Sequence, residues 1–201
     1  MFVQVIRGRV ADPEAVREAF ERWVRELSPG ADGWLGSTGG VTADGRLVVL
    51  ARFASAEAAQ ANSRRPEQDR WWQETAALVS EPSFHDSADV RGYLATGSDK
   101  AGFVQVITGQ TTDPDKMMDS VVRLSASLHA FRPDLIGGTV ALHHDGTFTE
   151  AVYFTSVEQA RAGEQRQLPP ELQGALDRAE ELTSMLSYHD LTDPWLLSPP
   201  R

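Results

Sequence analysis

The sequence predicts an α+β protein built from two fused ferredoxin-like repeats, each with the element order βαββαβ. Three observations lead to this fold class. The 201 residues are enough for two domains of about 100 residues each. Segment 2–6 (FVQVI) recurs letter for letter at 103–107, and further matches follow in the same order at offsets of 101 and then 104 residues. Within each copy, strand-like and helix-like patterns alternate in the same order.

The first helix is the element that the two copies define best. Asp12 is expected to cap its N-terminus, and Pro13 suits the first helical position because the N–H that proline lacks is unpaired there. Both residues recur as Asp113-Pro114. Apolar residues at helical spacing then predict one buried stripe, formed by Val16, Phe20, Trp23 and Leu27 in the first copy and by Met117, Val121, Leu124 and Leu128 in the second.

The remaining elements of each unit are four strands and a broken helical region. In the first copy, β-branched and aromatic residues bounded by glycine and turn residues predict the strands. Asp44-Gly45 is a strong hairpin signal between the second and third strands, and Pro66 interrupts the helical region. The strands are expected at 2–8, 34–42, 47–53 and 83–90, and the helical region at 55–78.

The two repeats are expected to form one barrel. They span 1–94 and 103–193, with a polar linker at 95–102 and a tail at 194–201. In the first copy, the first and third strands are apolar on both sides, so the sheet face without helices would leave a large apolar surface in water. Packing sheet on sheet within the chain would cover that surface. The alternative is two independent units whose sheets are wetted on one face.

The chain resembles the dimeric α+β barrel superfamily, as a tandem fusion whose halves are similar to antibiotic-biosynthesis-monooxygenase domains. The resemblance rests on the element order, the repeat length, the VQVI first strand and the Ser-x-Glu-x-Ala start of the second helical region at 55–59. It implies an intramolecular pseudo-dimer with a dimeric-type α+β barrel, and a small-molecule ligand between sheet and helices. It also implies oxygenase chemistry without metal, flavin or another cofactor.

Composition and charge exclude several classes of partner. The net charge of −10 repels nucleic acid and anionic membranes. The chain contains no cysteine, so thiolate chemistry and cysteine-bound metals are excluded. The histidines lack metal-ligand spacing, so no metal site is expected. No signal peptide or membrane span is recognisable, which predicts a cytoplasmic protein; a further homodimer stays open.

Glutamine and histidine recur at matched positions and are the candidate reactive groups. Gln4 and Gln105 stand among apolar residues of the first strand. A buried amide needs a partner, so they either bind ligand or are satisfied by backbone. His85 and His189 stand on the last strand, where each could act as a base or anchor the strand. An aspartate follows each histidine, but adjacent strand residues point to opposite faces, so no His-Asp dyad is expected.

Three tryptophans of the first copy are candidate ligand-binding residues. Trp34, Trp71 and Trp72 correspond to smaller residues in the second copy. The two halves are therefore not equivalent, and one can enclose a pocket that the other fills. The alternative is that the rings belong to an ordinary core.

The sequence thus predicts a cofactor-independent, monooxygenase-like protein that acts on or binds a small apolar or aromatic molecule in a barrel cavity. His85 and His189 would be catalytic, and Gln4, Gln105 and the three tryptophans would bind the ligand. Two alternatives stay open, a non-catalytic ligand-binding or structural protein and a haem-binding protein.

Overall fold

A computed structural model describes residues 1–199, which form ten strands and six α-helices. Residues 200 and 201 of the predicted tail lie outside this range. The strands are β1 (Phe2–Val10), β2 (Trp34–Val41), β3 (Arg46–Phe53), β4 (Val79–Ser87), β5 (Asp89–Leu94), β6 (Phe103–Thr111), β7 (Leu135–Leu142), β8 (Thr147–Phe154), β9 (Thr183–Leu191) and β10 (Trp195–Leu197). The helices are α1 (Pro13–Glu26), α2 (Ala56–Ser63), α3 (Pro66–Ala76), α4 (Pro114–Phe131), α5 (Val157–Glu164) and α6 (Pro170–Glu180).

The described residues divide into two compact units. Unit 1 comprises Met1–Ala88 and the segment that begins at Asp193, and unit 2 comprises Asp89–Thr192. Each contains one five-stranded antiparallel sheet and three helices. The strand order is β10-β2-β3-β1-β4 in unit 1 and β5-β7-β8-β6-β9 in unit 2. The sheets therefore have the same topology, as the internal repeat predicts.

One edge strand in each sheet lies outside the repeat that forms the rest of that sheet. Strand β5 follows β4 in the chain but pairs with β7 in unit 2, and β10 follows β9 but pairs with β2 in unit 1. The repeats at 1–94 and 103–193 describe the duplication in the sequence, whereas the compact units also contain the exchanged strands. Each five-stranded sheet is thus completed by residues that lie outside its own repeat.

The first helix of each repeat is capped as its sequence predicts. In α1, the Asp12 carboxylate accepts a hydrogen bond from the Ala15 N–H at 3.1 Å, and in α4 the Asp113 carboxylate accepts one from Lys116 N–H at 3.2 Å. These bonds satisfy N–H groups that have no partner within the helix. The predicted interruption at Pro66 is also confirmed, because α2 ends at Ser63 and α3 begins at Pro66.

Both faces of the central strands are buried in unit 1. Phe2 and Ile6 of β1 pack in the same apolar cluster as α1 and α3. Val3 and Val5 point to the opposite face, and both are fully buried. This agrees with the expectation that the apolar sheet face is covered. Within residues 1–199, no helix is long and apolar enough to cross a membrane.

Candidate ligand-binding site

Unit 2 contains a cavity of about 270 Å³ between its sheet and two of its helices, α4 and α6. This volume is slightly below the range of roughly 300–1,000 Å³ that is usual for small-molecule sites. The lining is predominantly apolar, with Met117, Val121, Leu124 and Leu128 of α4 forming one wall. Leu186 and Tyr188 of the edge strand β9 also line it and are exposed, so the cavity opens to solvent beside β9.

The cavity exists because smaller side chains replace aromatic rings of the first repeat. The rings of Trp23 and Trp34 are 4.8 Å apart in unit 1, and they belong to a continuous core. Leu124 and Leu135 stand at the corresponding positions in unit 2, and both line the cavity. Likewise, Phe20 and Trp72 of the first repeat correspond to the aliphatic residues Val121 and Leu176, which also line the cavity. The two halves are therefore not equivalent, as predicted. Aromatic rings fill this region of unit 1, whereas the corresponding region of unit 2 contains the cavity.

A polar pair lies within this apolar lining. The Tyr93 hydroxyl donates a hydrogen bond to Glu150 Oε1 at 2.8 Å, and both residues line the cavity. Tyr93 lies on the exchanged strand β5, opposite Gly138 of β7. A Cβ at Gly138 would come within 2.1 Å of the Tyr93 hydroxyl. The glycine therefore provides the space that lets the tyrosine reach Glu150.

Burial controls the protonation of both members of this pair. It raises the pKa of the Glu150 carboxyl, while the hydrogen bond from Tyr93 acts in the opposite direction with a smaller effect. Burial, reinforced by the neighbouring Glu150, raises the pKa of Tyr93 well above its ordinary value. Tyr93 therefore stays protonated and acts as the donor, whereas Glu150 is a more basic carboxylate than one in water.

Replacing Glu150 by glutamine is expected to stabilise the protein increasingly as the pH rises. The folded state of the wild type binds this proton more tightly than the unfolded state, because the folded-state pKa is raised. The resulting contribution to the unfolding free energy is complete at pH values below the ordinary pKa. It is lost as the pH rises through the folded-state pKa. The glutamine variant has no such loss. Urea unfolding between about pH 4 and 8 measures the difference in unfolding free energy.

The exposed Glu181→Gln variant serves as the control for this titration, since Glu181 lies outside the cavity lining. This variant removes a carboxyl of the same chemistry from the surface and leaves the cavity lining unchanged. A difference for the Glu150 variant that does not change with pH would contradict the raised pKa of its carboxyl.

Arg132 is the basic residue of the cavity lining. Its Nη2 donates to Asp134 Oδ2 at 2.6 Å and to the Ala160 carbonyl at 2.9 Å. Its guanidinium carbon is 5.3 Å from the centroid of the Phe154 ring, which also lines the cavity. The side chain is 14% exposed. These contacts hold the guanidinium in one position against the wall.

The predicted glutamines bind carboxylates of the neighbouring strand. Gln4 Nε2 donates to Asp86 Oδ1 at 3.1 Å, and Gln105 Nε2 donates to Asp190 Oδ1 at 3.0 Å. Arg161 also donates to Asp190. The partner of each amide is thus a side chain rather than the backbone, and neither glutamine lines the cavity of unit 2. Their ligand-binding role stays a prediction.

The predicted histidines point to the other side of the sheet. His85 lies opposite Val5 in the β1–β4 register, whereas Gln4 lies opposite Asp86. Successive strand residues point to opposite faces, so Gln4 and His85 cannot contact the same part of one ligand within unit 1. His189 has the equivalent register in unit 2 and does not line the cavity there. The catalytic role of both histidines stays a prediction.

The three predicted tryptophans pack within unit 1. Trp71 is buried and its indole N–H donates to the Ala19 carbonyl at 2.9 Å. Trp34 is also buried and donates to Ser37 Oγ at 3.1 Å. Trp72 is partly buried, with its ring centroid 5.0 Å from that of Phe84. These contacts are those of core side chains, and a role in ligand binding stays a prediction.

Sequence reasoning missed the polar residues of the cavity, although one of them left a signal. Glu150 occupies the position of Val49, a core residue of unit 1, and lies between two apolar inward-facing neighbours on β8. A carboxylate at a core position of one repeat only is a recognisable exception. Tyr93 left no such signal, because it lies on the exchanged strand and has no identical partner in the repeat.

The described residues also limit metal chemistry. Within residues 1–199, no group of three histidine, aspartate or glutamate side chains is placed to hold a metal ion. None of the residues lining the cavity is a histidine. The polar side chains of the lining are two carboxyls, two phenols, two aliphatic hydroxyls and one guanidinium, which belong to Glu150, Glu180, Tyr93, Tyr188, Ser125, Thr183 and Arg132.

No protein-family model and no curated protein matches the chain. Solved structures match nearly all of it. A "putative monooxygenase" from Lactobacillus acidophilus NCFM is 11% identical with a TM-score of 0.75, over 98% of this chain and 99% of that one. An anthrone oxidase-like protein is 11% identical with a TM-score of 0.68, over 100% and 91%. A major regulator of staphylococcal pathogenesis is 10% identical with a TM-score of 0.53, over 100% of both.

At these identities the similarity establishes the fold alone. The chain has the α+β fold of two fused ferredoxin-like repeats that its sequence predicts. Proteins named for oxidation and for regulation share this architecture. Function must therefore be inferred from the site and not from the fold.

Proposed function

We propose that the cavity of unit 2 binds a small ring-containing apolar molecule and that the protein oxygenates it without a metal or flavin. The observation that carries this proposal is the hydrogen-bonded Tyr93–Glu150 pair within a predominantly apolar pocket. An apolar lining with a few convergent polar groups is typical of small-molecule sites. Names such as monooxygenase and anthrone oxidase-like among the structural neighbours support the choice of reaction.

Glu150 is the group suited to begin such a reaction. A carboxylate whose pKa is raised by burial is a stronger base, and it would accept a proton from an activated C–H or O–H of the ligand. The electron pair stays on the ligand, which then reduces dioxygen. The net reaction converts one CH₂ group and one O₂ into one C=O group and one water. Tyr93 acts as a positioning residue, since its hydroxyl fixes Glu150 Oε1.

The apolar walls would contribute by excluding water from the anion. In a dry cavity, a charged ligand is solvated by fixed protein groups instead of water. Leu124, Leu135 and Phe148 form part of this wall. The ligand itself supplies the four electrons that reduce dioxygen in this net reaction.

Oxygen uptake with anthrone is the direct test of this function. Wild-type protein without added cofactor should consume oxygen and form anthraquinone faster than the spontaneous oxidation in buffer. The Leu124→Trp/Leu135→Trp variant, which is designed to close the cavity, is the matched control and should give the spontaneous rate. Equal rates with wild type, closed variant and buffer would contradict catalysis.

A non-catalytic ligand-binding protein is the second candidate, and one observation favours it. Neither of the two histidines predicted as bases lines the cavity. A binding protein would show a ligand-dependent rise in melting temperature with no oxygen uptake above the spontaneous rate. No feature of the lining favours the haem-binding alternative.

A further inference from the structure

Two charged groups in the lining of the unit 2 cavity, Glu150 and Arg132, lie at different places along its wall, whereas the third, Glu180, is exposed. Glu150 and Phe154 are four residues apart on β8, which corresponds to about 13 Å along a strand. Arg132 lies against the Phe154 ring. The carboxyl and the guanidinium therefore mark two separated parts of one apolar cavity.

Each of these groups has one polar atom left for a ligand. Glu150 accepts from Tyr93 through Oε1, and within residues 1–199 its Oε2 has no hydrogen-bond partner. Arg132 uses Nε and Nη2 for Asp134 and the Ala160 carbonyl, and its Nη1 has no partner among the same residues. Both side chains line the cavity. The occupied atoms fix each group, and the remaining atoms are available for recognition.

The first repeat lacks both groups at the matched positions. Val49 stands where unit 2 has Glu150, and Ala31 stands where it has Arg132. Both residues of unit 1 are buried in its apolar core. The carboxyl and the guanidinium therefore occur in the unit that contains the cavity and not at the matched positions of the other unit. This difference favours a role in ligand binding over a role in folding.

We propose that the ligand of this cavity is an elongated, largely apolar molecule with a hydroxyl at the Glu150 end and an acceptor oxygen at the Arg132 end. The inference rests on the proposed use of this cavity for ligand binding. A hydroxyl both donates to a carboxylate and accepts from a carboxyl, so it satisfies Glu150 in either protonation state. A guanidinium is a donor only, so its partner must be an acceptor, such as a carbonyl or carboxylate oxygen. The apolar stretch between them suits aromatic rings.

Four naphthalene probes test this arrangement without any turnover. They are 6-hydroxy-2-naphthoic acid with both groups, 2-naphthol with the hydroxyl only, 2-naphthoic acid with the acceptor only, and unsubstituted naphthalene. Dissociation constants are measured by anaerobic calorimetry on the full chain. The doubly substituted probe should bind at least about tenfold more tightly than either singly substituted one, since each singly substituted probe lacks one hydrogen bond to a charged group.

Two variants assign each end of the probe to its residue. Glu150→Gln should reduce the preference for 6-hydroxy-2-naphthoic acid over 2-naphthoic acid, and Arg132→Lys should reduce its preference over 2-naphthol. Lysine keeps the positive charge beside Asp134 and so protects the fold. Glu181→Gln and Arg166→Lys, which lie outside the lining, are the matched controls and should keep both preferences. An aldehyde in place of the carboxylate shows whether a neutral acceptor suffices.

Equal affinity for the four probes would overturn the proposal, and so would the absence of binding by any of them. Loss of both preferences in either variant alone would also contradict the separate assignment of the two ends. The expected discrimination combined with no oxygen uptake from anthrone would leave this inference in place and remove only the proposed oxygenase reaction.

Discussion

The Leu124→Trp/Leu135→Trp variant should lose at least about a hundredfold in affinity for 6-hydroxy-2-naphthoic acid, because the new rings occupy the space of the ligand. The corresponding rings of unit 1, Trp23 and Trp34, pack edge to face at 4.8 Å within its core. Placed in unit 2, the same pair would fill much of the 270 Å³ cavity. Calorimetry measures the affinity, and urea unfolding shows whether the variant stays folded.

Val122→Trp is the control for this experiment. Val122 lies on the same helix α4 but is 40% exposed and does not line the cavity. Its affinity should stay close to that of the wild type. If the double variant proves unstable, the single Leu124→Phe variant gives a smaller ring and an intermediate loss. Unchanged affinity in the folded double variant would show that the ligand binds elsewhere.

The Trp71→Ala variant should lose about 3–5 kcal/mol of unfolding free energy, the cost typical of deleting a buried tryptophan. The Trp71 ring is 6% exposed, its centroid is 5.2 Å from that of Phe20, and its N–H binds the Ala19 carbonyl. The substitution leaves a void and removes the hydrogen bond from the indole to the Ala19 carbonyl. In a chain of this size, the loss corresponds to a melting temperature lower by about 6–20 °C.

Trp72→Ala is the matched control, because its partly buried side chain is adjacent in sequence and identical in chemistry. It should cost less than half as much as Trp71→Ala in the same urea titration. Similar losses for both variants would mean that the greater burial of Trp71 does not increase its contribution to the unfolding free energy. A loss below about 1 kcal/mol for Trp71→Ala would show that the core collapses around the void.

Much of the fold could be predicted from sequence because local signals and the repeat agree. The caps at Asp12 and Asp113, the hairpin at Asp44-Gly45 and the interruption at Pro66 each depend on a few adjacent residues. The exchange of β5 and β10 between sheets is a tertiary pairing without a local signal. Neither edge strand could be assigned to its sheet from alternation alone.

The site was harder to predict because the role of each residue depends on contacts with residues that are not adjacent in the sequence. Glu150 is an ordinary strand glutamate until its burial and the Tyr93 bond are known. Arg132 follows helix α4 in the chain and reaches the cavity only through its contacts with Asp134 and Phe154. The histidines drew attention by their repetition, yet the register of β4 and β9 turns them away from the glutamines.

The exchanged strands also constrain how the two halves of the gene can evolve. Tyr93 belongs to the first repeat in the sequence but lines the cavity of unit 2, whereas Trp195 follows the second repeat and packs in the core of unit 1. Deletion of either half, or recombination at the repeat boundary, would remove an edge strand from the sheet of the remaining unit. Selection on the unit 2 cavity therefore acts on a residue of the first repeat as well as on the second repeat.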